Sequence, residues 1–161
     1  MILVLLGTNP YSFKRLVRAV DILARDKQEN IFIQLGNTNY SPSYCKYKRF
    51  LEKEKLLDLI KKAELIITHG GFGSILDCLK EGKRVVAVPR CPEFKESVDR
   101  QVELVKQLES EGRLIGVYDI QKLPEAIKIA KATSFSTESP NNISGLIIDF
   151  IERTTKCMPH R

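Results

Sequence analysis

The sequence is poor in the residues that build metal and disulfide sites. It holds no tryptophan, two histidines and four cysteines among 161 residues. The cysteines form no Cys-x-x-Cys pair and the histidines complete no zinc spacing, so a structural zinc site is not expected. An Asp-x-Asp metal motif is also absent, which predicts a metal-independent protein. Four widely separated thiols are typical of reduced proteins and favour a cytoplasmic location.

Long hydrophobic runs are absent as well. No apolar stretch approaches the roughly 18 residues of a transmembrane helix. The opening run Met1–Leu6 has no basic residue before it and no small-residue cleavage site after it, so no secretory signal is expected. Hydrophobic residues make up 43% of the chain and charged residues 29%, which is the balance of a soluble globular domain. The length suits one such domain.

Positive charge exceeds negative charge by a modest margin. There are 26 Lys and Arg against 20 Asp and Glu, a formal charge of +6. The densest basic stretch is Lys46–Arg49, followed by Lys53 and Lys55. It is either a solvated face or a surface attracted to an anionic membrane or an acidic ligand. Nucleic acid is disfavoured as a partner, because no helix-turn-helix, zinc-finger or aromatic-stacking signature accompanies the charge.

Five short apolar runs predict β-strands. They are rich in Ile, Val and Leu with little polar alternation, as in parallel strands covered on both faces. The runs are Ile2–Leu6, Ile31–Leu35, Leu65–Thr68, Val85–Val88 and Leu114–Val117. Segments of helical periodicity alternate with them, which predicts a doubly wound, mostly parallel Rossmann-like α/β sheet with helices on both faces. We assign residues 1–155 to this domain, including a last amphipathic helix over Ile143–Ile151, and residues 156–161 to a frayed tail.

The richest loop for chemistry is Thr68–Ser74, between a predicted strand and a predicted helix. Ligands bind at the carboxyl ends of the strands in open α/β sheets. Gly70, Gly71 and Gly73 let backbone N–H groups approach a ligand, and the helix adds the positive end of its dipole, which together suit a phosphate. Ser74 can donate a further hydrogen bond. The alternative is that the glycines only allow a tight turn and close helix–strand packing.

Polar residues near the same edge of the sheet extend this candidate site. Asp77 lies one helical turn beyond the glycine loop, where a carboxylate can accept hydrogen bonds from a ribose or can simply be an exposed acid. Arg90 follows the fourth predicted strand and is a candidate partner for a pyrophosphate. Asp99 and Gln101 stand at the start of the next helix. Gln101 suits sugar hydroxyls, and Asp99 is either a site residue or a helix cap.

Familiar nucleotide fingerprints do not fit these loops. A dinucleotide fold would place Gly-x-Gly-x-x-Gly after the first strand and an acid at the end of the second. Here the first loop reads Gly7–Pro10, and the second strand ends in Leu35–Asn37. A Gly-Lys-Ser/Thr phosphate loop is absent too. A thiol-dependent enzyme using Cys78 or Cys91 is disfavoured, because neither has a histidine partner in its sequence context.

In combination the motifs resemble the carboxyl-terminal, donor-binding domain of glycosyltransferase family 28. The segments that carry this resemblance, in chain order, are His69–Ser74, Asp77, Gly82–Arg90 and Asp99–Gln101. The segments Gly7–Thr8 and Gln34–Gly36 are more specifically similar to small stand-alone subunits. These are the catalytic subunit of the two-part transferase that adds the second N-acetylglucosamine to dolichol pyrophosphate, and its bacterial exopolysaccharide relatives. The resemblance covers roughly residues 1–120.

The resemblance implies a site for a UDP-sugar. The residues that match the diphosphate- and ribose-binding positions are Gly7, Thr8, Asn9, Gly70, Gly71, Gly73, Ser74 and Asp77. Asp77 stands where the family usually has glutamate. Asp99 and Gln101 match the pair that faces the sugar. His69 either positions the glycine loop or touches the substrate.

The implied activity is transfer of a hexose or N-acetylhexosamine from a UDP-sugar to a lipid-linked saccharide acceptor, without a metal or other cofactor. The chain carries donor motifs only. The acceptor half and the general base are therefore expected from a membrane-anchored partner subunit, which would hold the chain at the cytoplasmic membrane face. The alternative is a non-catalytic nucleotide-binding or assembly module. The identity of the sugar and of the acceptor stays open.

Overall fold

The computed structural model describes residues 1–98 and 101–133, together with Gly145. Its strands join in one parallel sheet with helices packed against it. The strands are β1 (Ile2–Leu5), β2 (Ile31–Gln34), β3 (Lys46–Lys48), β4 (Leu65–His69), β5 (Arg84–Val88) and β6 (Ile115–Gly116). The helices are α1 (Lys14–Lys27), α2 (Lys53–Lys62), α3 (Phe72–Lys80), α4 (Val102–Ser110) and α5 (Leu123–Ala132).

The order of the strands places a crevice in the middle of the sheet. That order is β3-β2-β1-β4-β5-β6, and every pair of neighbours is parallel. The chain runs outward from β1 to β3, returns to β4 on the other side of β1, and then runs outward to β6. In such sheets the loops at the reversal point diverge and leave room for a ligand at the carboxyl ends of the strands. Here that point lies between β1 and β4.

The core consists of two layers, one on each face of the sheet. Along β1, Ile2 and Val4 face the layer built on α1 and α5, whereas Leu3 and Leu5 face the layer built on α2, α3 and α4. Because neighbouring side chains of a strand point to opposite faces, a strand covered on both sides must be apolar throughout. This explains the unbroken apolar runs and confirms the predicted doubly wound α/β fold.

One strand, β3, was not predicted from the sequence. Its residues Lys46, Tyr47 and Lys48 are all exposed, and β3 pairs only with β2 at the edge of the sheet. A short strand carrying lysines is a common way to protect a sheet edge from pairing with other chains. The basic run is thus exposed, and part of it forms a strand. Its attraction to an anionic membrane or an acidic ligand stays a prediction.

The predicted helix Ile143–Ile151 and tail 156–161 lie outside the described residues. Within the described part of the chain, no helix is long and apolar enough to cross a membrane. Among the same residues, Cys45, Cys78 and Cys91 are free thiols. The five predicted strands are confirmed with ends that differ by one residue. The helix predicted to include Asp99 and Gln101 at its start begins at Val102, with Gln101 as its N-cap residue.

Candidate functional site

A cleft of about 470 Å³ opens at the carboxyl ends of β1, β2 and β4. It lies at the point where the strand order reverses. Its lining residues are Leu5, Gly7, Thr8, Asn9, Gln34, Phe50, Leu51, Leu56, His69, Gly71, Phe72, Gly73, Ser74 and Asp77. The structure thus brings together both glycine-bearing loops that the sequence singled out, although they are more than 60 positions apart in the chain.

The loop after β1 is held in place by a buried amide, Gln34, at the end of β2. Gln34 Oε1 accepts the N–H of Gly7 at 3.0 Å, and its Nε2 donates to the Gly7 carbonyl at 3.1 Å. Gly7 has φ = +68°, a left-handed conformation that favours glycine. Asn37 donates to the carbonyls of Thr8 and Asn9. The N–H and carbonyl of Gly7 are therefore engaged inside the protein, and the loop shapes the cleft as a rigid wall.

His69 is packed between two glycines at the floor of the cleft. A Cβ on Gly7 would lie 2.5 Å from His69 Nε2, and a Cβ on Gly71 would overlap the imidazole ring outright. On the far side, a Cβ on Gly70 would lie 2.6 Å from the Cβ of Gln101. These glycines are thus required for close packing, as one interpretation of the sequence held. The same packing leaves the adjacent backbone accessible from the cleft.

The start of α3 points at the cleft and offers the features of an anion site. Gly71 is the N-cap residue, and no side chain of the described residues caps the helix. The first helical turn has no acidic residue. The free N–H groups of a first turn and the helix dipole favour a negative charge at that end. A Cβ on Gly73 would meet no atom within 4 Å, so open space lies directly above this turn.

Two side chains of α3 line the cleft beyond its first turn. Ser74 Oγ lies 3.5 Å from His69 Nε2, and Asp77 follows one turn further along the helix. Asp77 is half-buried. The two residues occupy successive positions along one wall, as expected for contacts to adjoining parts of one elongated ligand.

His69 is neutral at physiological pH. Its side chain is 8% exposed, and burial followed by the nearby Arg90 guanidinium lowers its pKa to about 4. Its Nδ1 is buried, and a hydrogen bond with the Gln101 side chain opposes this lowering of the pKa. A neutral imidazole has one donor and one acceptor nitrogen. His69 can therefore make a directional hydrogen bond to a ligand without adding a charge.

We expect this histidine to make stability depend on pH. The ordinary pKa of 6.5 applies in the unfolded chain, whereas in the folded chain the pKa is about 4. Between these values the unfolded state binds more protons, so stability rises with pH. From pH 5 to pH 7 the His69 contribution is about 2 kcal/mol. Urea unfolding of the wild type and of His69→Asn at both pH values measures it. Equal pH dependence in the two proteins would contradict the buried neutral state.

One wall of the cleft was missed by sequence reasoning. Phe50 and Leu51 lie between β3 and α2, Leu56 lies in α2, and all three line the cleft. Phe50 is 51% exposed, which leaves a ring face open to a ligand. The signal in the sequence was an apolar pair, Phe50–Leu51, directly after a basic run. Without β3, this pair could not be placed at the carboxyl edge of the sheet.

Arg90 is placed differently from the expectation that it faces a pyrophosphate. It is 1% exposed and does not line the cleft. Its Nη1 donates to the carbonyls of Tyr11 and Glu96 at 2.9 Å each, and its Nη2 donates to the carbonyl of Leu6 at 3.0 Å. Burial lowers its pKa to about 10, so it stays charged. The assignment is corrected: Arg90 organises the loops behind the cleft.

The remaining predicted residues lie after β5. Gln101 packs against Gly70, and its Oε1 accepts the backbone N–H of Arg90 at 3.1 Å. It stands beside the cleft floor without being one of its lining residues, and its contact with a sugar stays a prediction. Asp99 lies outside the described residues. Among residues 1–98 and 101–133, no group of three or more His, Cys, Asp or Glu side chains could hold a metal ion.

Comparison with known families decides the relationship that the motifs suggested. The model of the glycosyltransferase family 28 C-terminal domain matches residues 1–144. The chain belongs to this family. The match includes both glycine-bearing loops and every cleft-lining residue. The resemblance inferred from the motifs is thereby confirmed.

Individual relatives and solved structures are also similar to this chain. The human UDP-N-acetylglucosamine transferase subunit ALG13 is 44% identical over 62 residues, which are 38% of this chain and 5% of the human protein. The calicheamicin glycosyltransferase CalG4 superimposes with a TM-score of 0.64 at 19% identity, over 92% of this chain and 38% of that chain. A UDP-GlcNAc 2-epimerase of Methanocaldococcus jannaschii, solved with UDP-GlcNAc and UDP, gives 0.60 at 16% identity, over 91% of this chain and 44% of that one.

The solved proteins and the human relative are longer than this chain. This chain spans less than half of the solved proteins it superimposes on, and a small part of its human relative. At these identities the solved structures establish a shared fold. The fold of this chain is thus one part of a larger structure in those solved proteins.

Proposed function

We propose that this chain is the donor-binding part of a two-part glycosyltransferase. It would move a hexose or N-acetylhexosamine from a UDP-sugar to a lipid-linked saccharide acceptor. The observation that carries the proposal is the cleft between β1 and β4, where the uncapped start of α3 meets the loop of Gly7–Asn9. Such a helix start attracts the diphosphate of an activated sugar. The family membership supports glycosyl transfer as the chemistry.

The cleft offers a place for each part of the donor. The backbone N–H groups of Gly73 and Ser74 face the diphosphate. Asp77, one turn further along, accepts hydrogen bonds from the ribose hydroxyls. The exposed ring of Phe50 gives the uracil a face to stack on, since base–aromatic stacking tolerates any base. His69 at the floor donates or accepts one hydrogen bond near the diphosphate–sugar junction.

In the proposed reaction the acceptor hydroxyl oxygen bonds to the anomeric carbon while the bond from that carbon to the UDP oxygen breaks. The hydroxyl proton passes to a general base, and UDP leaves with the electron pair. Preorganised N–H groups and a helix dipole stabilise the charge that develops on the leaving diphosphate. These are features of this chain, and they operate without a metal ion.

The acceptor half of the site is proposed to come from a partner subunit. The human relative is itself named a transferase subunit, which supports a division of labour between chains. We propose that the partner is membrane-anchored, binds the lipid-linked acceptor, supplies the general base, and holds this chain at the cytoplasmic face. A non-catalytic nucleotide-binding module would show the same donor affinity but no transfer with any partner.

A calorimetric panel tests the donor site. We expect UDP and UDP-sugars to bind equally well with and without excess EDTA, because helix and backbone N–H groups carry the diphosphate. Phe50→Ala should weaken UDP binding by about tenfold or more, from the loss of base stacking worth roughly 1–3 kcal/mol.

Tyr44→Ala is the matched control for the Phe50 variant. Tyr44 is also an exposed aromatic residue near β3, but it does not line the cleft. We expect its variant to bind UDP like the wild type. Equal losses in both variants, UDP binding that needs added metal, or no binding of UDP at all would count against the proposed site.

A further inference from the structure

A cluster of charged side chains lies beneath the loops that follow β1 and β5. It consists of Arg15 in α1, Arg90 after β5 and Glu96, and we call it the arginine clasp. Arg90 is fully buried, and the side chains of Arg15 and Glu96 are 19% and 4% exposed. None of the three lines the donor cleft. The clasp is therefore separate from the groups that contact the donor in the proposed function.

Glu96 ties the loop after β5 to α1. Arg15 Nε donates to Glu96 Oε1 at 3.0 Å, and Arg15 Nη2 donates to Oε2 at 2.9 Å, which makes a bidentate ion pair. The same Nη2 donates to the carbonyl of Pro89 at 3.2 Å, and the backbone N–H of Cys91 donates to Glu96 Oε2 at 3.3 Å. The Arg15 guanidinium also lies 5.1 Å from the ring centre of Phe94. One ion pair thus fixes both ends of this turn.

Arg90 connects that turn to the first loop and to Gln101. Its guanidinium donates to the carbonyl of Glu96 on one side and to those of Leu6 and Tyr11 on the other. Its backbone N–H donates to Gln101 Oε1 at 3.1 Å. The loop that shapes the cleft and the residue predicted to face the sugar are therefore linked through the clasp.

Buried ion pairs are a poor source of stability, because the cost of removing the charges from water offsets their attraction. A bidentate arginine–carboxylate pair does impose a defined geometry. In this protein the pair fixes the start of α1, which directly follows the loop after β1, against the loop after β5. The relative position of these two segments determines where the site residues that they carry stand.

We propose that the Arg15–Glu96 ion pair is a positioning device that, through Arg90, holds Gln101 in register for the sugar of the donor. This inference rests on the proposed function and adds two positioning residues to it. The nucleotide wall is formed by Phe50, Leu51 and Asp77, which lie on segments that the ion pair does not contact. The pair therefore governs the sugar end of the site and leaves the nucleotide end in place.

Two variants test the inference by calorimetry with UDP and with UDP-N-acetylglucosamine. Glu96→Gln keeps the shape and removes the charge, and Arg15→Lys keeps the charge and removes the bidentate geometry. We expect each to weaken UDP-N-acetylglucosamine about tenfold more than UDP, a difference of about 1.4 kcal/mol. Glu29→Gln is the matched control, because Glu29 pairs with Lys131 at 2.6 Å just before the amino end of β2, away from the cleft. It should change neither affinity.

The side-chain amide resonance of Gln101 provides a second readout that loss of stability alone does not move. We expect it to shift in both clasp variants and to stay in place in the control. If Glu96→Gln does not fold, Arg15→Lys carries the test. Equal effects on both ligands, or no effect, with the Gln101 resonance unmoved, would overturn the inference. A wild type that binds neither ligand contradicts the proposed function instead, and the Gln101 resonance then decides the positioning role by itself.

Discussion

Replacing Gly71 with alanine is expected to weaken UDP binding and to destabilise the fold. The cause is steric, since Gly71 has φ = −81°, which any residue adopts, but its Cβ would overlap the His69 ring. The ring cannot retreat, because Gly7 packs against its other edge. Overpacking of this kind costs roughly 1–3 kcal/mol. The collision displaces the start of α3, and losing one of its hydrogen bonds to the charged diphosphate should weaken UDP binding about tenfold or more.

Gly73→Ala is the matched control for stability. It changes the same residue type two positions later, where a Cβ meets no atom within 4 Å. Because alanine favours helices over glycine by up to about 1 kcal/mol, the melting temperature should stay the same or rise. Thermal unfolding with and without UDP measures both effects. A Gly71→Ala protein with the melting temperature and the UDP affinity of the wild type would contradict the close packing of Gly71 against the His69 ring.

Replacing Arg90 with methionine is expected to cost about 3–5 kcal/mol of unfolding free energy. Methionine fills a similar volume but leaves the carbonyls of Leu6, Tyr11 and Glu96 without the donors they have now. It also removes a guanidinium that lies 4.6 Å from the ring centre of Phe13. For a chain of this length the loss corresponds to a fall in melting temperature of about 10 °C.

Arg25→Met is the control for this variant. Arg25 is half exposed and pairs with its neighbour Asp26 at 2.7 Å. Exposed ion pairs contribute little to stability, so we expect the melting temperature to change by no more than about 2 °C. If the two arginine variants unfold at the same temperature, Arg90 is not the buried connector that its hydrogen bonds indicate.

The fold and one half of the site could be predicted from the sequence, because their physical signals are local. A strand buried on both faces must be apolar throughout, and this identified β1, β2, β4 and β5 within a residue or two. A glycine-bearing loop between a strand and a helix identified Gly70–Ser74. Because loops that follow parallel strands lie at the same edge of a sheet, the sequence also predicts that this loop lies near Gly7–Asn9.

The rest of the site depends on contacts that no local pattern reports. An edge strand such as β3 is short and exposed, so its sequence looks like a solvated run, and the wall of Phe50 and Leu51 was lost with it. Arg90 carries the same charge whether it faces a phosphate or three carbonyls, and only the tertiary structure separates the two. The role of Gln34 in holding Gly7 likewise joins residues 27 positions apart.

A crystal structure of the chain with UDP tests the central claim most directly. The account predicts the diphosphate within hydrogen-bonding distance of the backbone N–H groups of Gly73 and Ser74, the ribose at Asp77 and the uracil on the ring of Phe50. A diphosphate bound elsewhere, or a cleft between β1 and β4 that stays empty at saturating UDP, would contradict it.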